Sequence, residues 1–74
     1  MNVIITIEQG DAAVSVIADE KRRIMDIIRI LKMQGYLPRF AGRFMRSAAE
    51  ERVISTVNTL RDEGIASGDK LTEI

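Results

Sequence analysis

Apolar and polar residues alternate along the start of the chain, with Val3, Ile5 and Ile7 on one side and Asn2, Ile4, Thr6 and Glu8 on the other. A period of two carried by β-branched residues predicts a strand over residues 2–8 with one buried face. Glu8-Gln9-Gly10-Asp11 then supplies turn chemistry. Alternation resumes over residues 12–18, with Val14, Val16 and Ala18 against Ala13, Ser15 and Ile17. Two such strands joined by a glycine turn predict an antiparallel hairpin. After Asp19 the period lengthens. Ile24, Ile27, Ile28 and Leu31 stand at i, i+3, i+4 and i+7, one face of an α-helix over about residues 20–34. Asp19 is the expected N-cap, Gly35 the stop, and Lys32 suits the negative end of the helix dipole. Met25, Ile30 and Met33 widen the apolar arc, enough to permit a weak homodimer.

Shorter elements follow. Gly35 and Pro38 end the helix and redirect the chain. Residues 43–47 read as a strand, 48–51 as a loop and 52–55 as another strand. Residues 59–65 read as a single turn anchored by Leu60 and Ile65, and a last strand covers 70–74 after Gly68-Asp69. Phe44 and Met45 must point to opposite faces; the pattern leans to Met45 inside without settling the choice. Alternation from Leu71 turns Glu73 inward, where an unpaired carboxylate is costly. The strand is therefore expected to fray or bulge there, leaving Ile74 to point either way.

One amphipathic helix can cover one face of a mixed four- or five-stranded sheet, giving a single α+β two-layer domain over residues 1–74. Setting the last strand parallel to the first requires a right-handed crossover. That is the β-grasp arrangement.

Composition narrows the chemistry. The 74 residues include no Cys, no His and no Trp. A disulfide framework, a thiolate nucleophile, a Ser-His-Asp triad and Cys or His metal ligands are all excluded. Glycine-rich phosphate loops and EF-hand spacings are missing as well. No cofactor, metal or catalytic residue is expected. Glu50-Glu51 and Asp62-Glu63 are neighbouring carboxylates on a loop and a turn, where both members face water. Apolar runs reach only three residues, too short for a membrane helix or a signal peptide. A soluble, cytoplasmic protein without membrane insertion is the expectation.

Lysine and arginine together equal aspartate and glutamate, but the signs are segregated: residues 1–18 carry −2, residues 19–46 carry +5 and residues 47–74 carry −3. Lys21, Arg22 and Arg23 would lie in the first helical turn, against the dipole. They are candidate contacts for an acidic partner. Phe44 beside Arg43 and Arg46 could instead stack and clamp a nucleic acid, so the alternative reading is a small nucleic-acid-binding regulator using the basic helix start, Lys21–Arg23, and the third-strand bases of Arg39–Arg46.

The closing segment, with Leu60, Asp62, Ile65, Gly68-Asp69 and Leu71, resembles ubiquitin-like proteins. The helix start Arg22-Arg23-Ile24-Met25-Asp26-Ile27-Ile28 and Pro38 after a glycine-ended helix fit the same template. More narrowly, the chain is similar to the short YukD/EsaB family, which accompanies type VII secretion systems. Phe44-Met45-Arg46 and Gly64-Ile65 followed by Gly68-Asp69 carry that likeness. Ubiquitin itself ends in Gly-Gly, which is adenylated and conjugated, whereas this sequence closes with Leu71-Thr72-Glu73-Ile74. The resemblance thus implies a non-enzymatic adaptor or regulator that binds noncovalently to a cytosolic part of a secretion-system membrane complex, without covalent conjugation. Ubiquitin-like domains also occur at the ends of membrane components, so the chain could be a fragment of one. In such domains the sheet face away from the helix is the binding face. Its expected members here are Ile4, Thr6, Ile17, Phe44, Arg46, Thr72 and Ile74, arranged as an apolar centre with an arginine rim.

Overall fold

The computed structural model describes residues 1–37, 39, 40 and 42–74; the expected turn at Pro38 lies outside them. The hairpin forms as the alternation requires. Strand β1 (Asn2–Gln9) pairs antiparallel with β2 (Ala12–Asp19), from Asn2 opposite Asp19 to Gln9 opposite Ala12. Helix α1 spans Ile24–Met33, and β3 (Phe44–Ser47), β4 (Arg52–Ser55) and β5 (Lys70–Glu73) follow. The five strands lie in the order β2-β1-β5-β3-β4. β5 runs parallel to β1, with Ile7 opposite Leu71, and antiparallel to β3, with Met45 opposite Glu73. First and last strands are therefore neighbours at the centre of the sheet, as a β-grasp requires.

Buried side chains from both layers meet between helix and sheet. Ile24, Ile27, Ile28 and Leu31 of α1 join Val3, Ile5, Ile7, Met45, Ile54 and Leu71 of the sheet. Leu37, Phe40, Leu60 and Ile65 close the ends of this core. Val14, Val16 and Ala18 are only partly buried, because β2 is an edge strand beyond the helix's full cover.

The helix start differs from the expectation. Asp19 is the last residue of β2, and its carboxylate accepts the N–H of Lys21 at 2.8 Å instead of capping a helix. That N–H, followed by the nearby cations, holds the Asp19 carboxyl below the usual aspartate value. The cap position is occupied by Arg23, which makes no side-chain cap bond. The first helical amides are satisfied from far away in sequence: Ile24 N–H donates to Asn58 O and Met25 N–H to Thr56 O. Lys21 and Arg22 consequently precede the helix, and Arg23 bridges to Thr59. The conflict with the helix dipole expected for this cluster is thereby reduced. The other end is as predicted. Gly35 adopts φ +84°, Gly35 N–H donates to Lys32 O, and Tyr36 N–H donates to Leu31 O. This is a Schellman termination, in which glycine tolerates the left-handed backbone.

The last strand does not fray before Glu73. The Glu73 carboxylate accepts Gly42 N–H and Gln9 Nε2, each at 3.1 Å. These donors remove the penalty that argued for a bulge. Ile74 lies just past the strand and is 70% exposed.

Candidate interaction surface

The pleat that buries Val3, Ile5 and Ile7 turns their neighbours to the opposite side of the sheet. Register then decides which outward residues meet. Ile4 stands opposite Ile17, and Thr6 opposite Ser15, whose hydroxyls are 2.9 Å apart. Thr6 also lies beside Lys70, and Glu8 beside Thr72. Thr72 in turn pairs with Arg46, and Arg46 with Val53. Ile4, Thr6, Ile17, Phe44, Arg46 and Thr72 therefore share one face. Phe44 is exposed while Met45 is fully buried, which settles the orientation of β3.

The arrangement on that face differs from an apolar centre with an arginine rim. Central strand β5 contributes Lys70 and Thr72 outward, and Lys70 pairs with Glu8 at 3.3 Å. This polar band divides the apolar residues into two groups. Ile4 and Ile17 lie on the β1–β2 side. On the β3–β4 side Phe44 and Val53 are 53% and 52% exposed and diagonal across the ladder, within reach for an aromatic ring. Continuing the β5–β3 register by one residue sets Ile74 opposite Phe44. Arg46 flanks this second group. Val53 was not singled out from the sequence, because only the pairing of β3 with β4 brings it beside Arg46.

Lys21, Arg22 and Arg23 are exposed but sit apart from this face, in the turn between β2 and α1. The bases of the third strand are divided too. Arg46 projects outward with Phe44, whereas Arg43 lines a groove beside α1. The apolar arc of the helix is split in the same way: Met25 and Met33 line that groove, and Ile30 lines a second one between α1 and β2.

Acidic residues serve structure. Glu63 accepts Ser55 N–H at 2.8 Å, Arg52 at 2.9 Å and Asn58 Nδ2 at 3.1 Å. Burial pushes its carboxyl up, but these hydrogen bonds outweigh burial and hold it below the usual glutamate value. Glu50, Glu51 and Asp62 are exposed. Among the described residues no acidic cluster has the geometry to hold a metal ion, and no helix is long and apolar enough to cross a membrane.

No protein-family model matches the chain, and no curated protein matches it in sequence. Solved structures match in shape. A protein designed de novo on the basis of ubiquitin gives a TM-score of 0.70 at 20% identity, covering 96% of this chain and 84% of that one. The N-terminal ubiquitin-like domain in the 4931431F19Rik protein gives 0.69 at 12% identity, covering 99% and 73%. The EccD5 ubiquitin-like domain from Mycobacterium xenopi gives 0.61 at 18% identity, covering 100% and 93%. At these identities the likeness is one of fold, and the fold is ubiquitin-like.

Proposed function

We propose that this chain is a non-enzymatic, ubiquitin-like adaptor or regulator of the YukD/EsaB kind, acting in the cytoplasm. It binds noncovalently, through the sheet face away from the helix, to a cytosolic part of a type VII secretion membrane complex. The observation that carries this reading is the exposed aromatic Phe44 with Val53 and Ile74 around it and Arg46 alongside. An apolar anchor with an arginine neighbour is the composition that concentrates binding energy at protein interfaces. Ile4, Thr6, Ile17 and Thr72 extend the surface across the sheet, and Lys21, Arg22 and Arg23 offer a separate contact for an acidic partner. The likeness to EccD5, a type VII secretion component, supports the same direction.

A nucleic-acid regulator has less support. The Arg43–Phe44–Arg46 clamp it needs is divided between the two sides of the sheet. The test is calorimetric titration of the purified chain, and of its Phe44→Ala variant, into the soluble domains of the secretion complex from the same cell. Saturable binding lost on Phe44→Ala supports the adaptor. Absence of binding, together with a gel shift of DNA or RNA that weakens steeply with salt, overturns it.

A further inference from the structure

On the helix side, an open groove of about 550 Å³ runs between α1 and the segments that enter β3 and leave β4. Its floor is built from Ile28, Phe40 and Thr56, all buried. Its walls carry half-buried Met25 with exposed Met33 and Val57. Met25, Ile28, Arg29 and Lys32 recur at i, i+3, i+4 and i+7, so the helix presents a second stripe beside its core stripe. Arg29, Lys32 and Arg43 contribute three cations, and no acidic residue is among the described residues of the lining. Two carboxylates border the groove: Glu73 accepts the N–H of its lining residue Gly42, along with Gln9, and Asp26 pairs with Arg29 at 3.9 Å.

From this we infer that the groove is a docking site for an acidic amphipathic peptide segment of a partner protein. Apolar side chains of the segment would cover Met25, Met33 and Val57, and its carboxylates would meet Arg29, Lys32 and Arg43. The charged residues of the described lining are all cations, with Lys32 and Arg43 beyond the Asp26–Arg29 pair, and this complementarity fixes the class of occupant. Phosphodiester backbones fit less well, because the exposed apolar wall offers them nothing and Phe40 is too buried to stack on a base. The site lies on the opposite side of the sheet from Phe44 and stands independently of the role proposed for that face.

The test uses a fluorescein-labelled peptide, Leu-Glu-Glu-Leu-Leu-Glu-Glu-Leu, titrated into the full chain and followed by anisotropy and amide chemical shifts. Saturable binding with shifts at Met25, Arg29, Lys32, Met33 and Val57 is expected. Lys32→Glu with Arg43→Glu should weaken it at least about tenfold, since both charges are solvent-exposed partners of the peptide. Met33→Ser should also weaken it, and Phe44→Ala should leave it unchanged. Thermal melts show that each variant is folded; all four positions are exposed. Equal binding of a peptide with Lys in place of Glu, shifts confined to the Phe44 face, or no saturation would overturn the proposal. So would tighter binding of a DNA oligonucleotide. Dimerisation of the chain abolished by Met33→Ser would make a second copy the occupant and overturn it as well.

Discussion

The Ser47 hydroxyl donates to a carboxylate oxygen of Asp69 at 2.5 Å, and both residues are buried. The other Asp69 oxygen accepts Ala49 N–H at 2.9 Å and Lys70 N–H at 2.7 Å, while Ser47 Oγ accepts Glu50 N–H at 3.1 Å. One carboxylate thus fastens the β3–β4 loop to the start of β5. Asp69→Ala leaves the buried Ser47 hydroxyl and the part-buried Ala49 and Lys70 N–H groups without this acceptor and should cost about 3 kcal/mol, with Ser47→Ala costing about 1–2 kcal/mol. The two residues share one network, so the double variant should lose clearly less than the two single losses combined. Urea denaturation of the four proteins measures this, and strict additivity would refute a shared network.

Glu63 fastens the other end of β4. Its folded carboxyl lies below the usual glutamate value because Ser55 N–H, Arg52 and Asn58 together outweigh the opposing effect of burial. A depressed folded value means the unfolded chain takes up its proton first as pH falls. The stabilisation is whole above the usual glutamate value and disappears as pH drops through the lower folded one. Glu63→Gln should cost about 1–2 kcal/mol at neutral pH. It should also flatten the fall of Tm in the acid range. An unchanged acid slope in Glu63→Gln would show that other carboxylates set it.

Orientation on β3 separates binding from stability. Phe44→Ala and Arg46→Ala remove exposed side chains and should change unfolding by less than about 0.5 kcal/mol. Met45→Ala empties a fully buried position and should cost about 2–5 kcal/mol. In the adaptor reading only the first two weaken partner binding in step with intact folding. A large stability loss at Phe44 would place its ring in the core and remove the anchor of the proposed face.

These contrasts show what the sequence carries and what it leaves out. The β1–β2 hairpin, the core stripe of α1 and the Gly35 stop were legible because each is written in residues adjacent on one element. Gly68-Asp69 marked the entry to β5 for the same reason. The start of α1 was not legible. Its first amides are capped by Asn58 and Thr56 carbonyls, and no local pattern reports a carbonyl supplied by a distant loop. Asp19, the apparent cap, is claimed by the hairpin instead. The outward members of the sheet were legible from alternation alone, but their division into two apolar groups depends on β5 lying between β1 and β3. The groove beside α1 was hidden likewise, since Arg43 and Val57 reach it only through the return of β3 and β4.

Glu73 and Gly42 form a last coupled pair. A Cβ added at Gly42 would lie 3.2 Å from Glu73 Oε2 and 3.3 Å from its Cγ. Gly42→Ala should therefore push the carboxylate off the Gly42 N–H and loosen the end of β5, at about 1 kcal/mol. Shortening the acid should relieve the crowding. Gly42→Ala is expected to cost less in a Glu73→Ala background than in the native chain, because the side chain it crowds is gone. Amide exchange at Gly42 should rise in both single variants, since each disturbs the same acceptor. If Gly42→Ala costs the same in both backgrounds, the contact is not what holds the end of β5, and the tolerance of Glu73 on the inner face would have to come from Gln9 and its remaining partners.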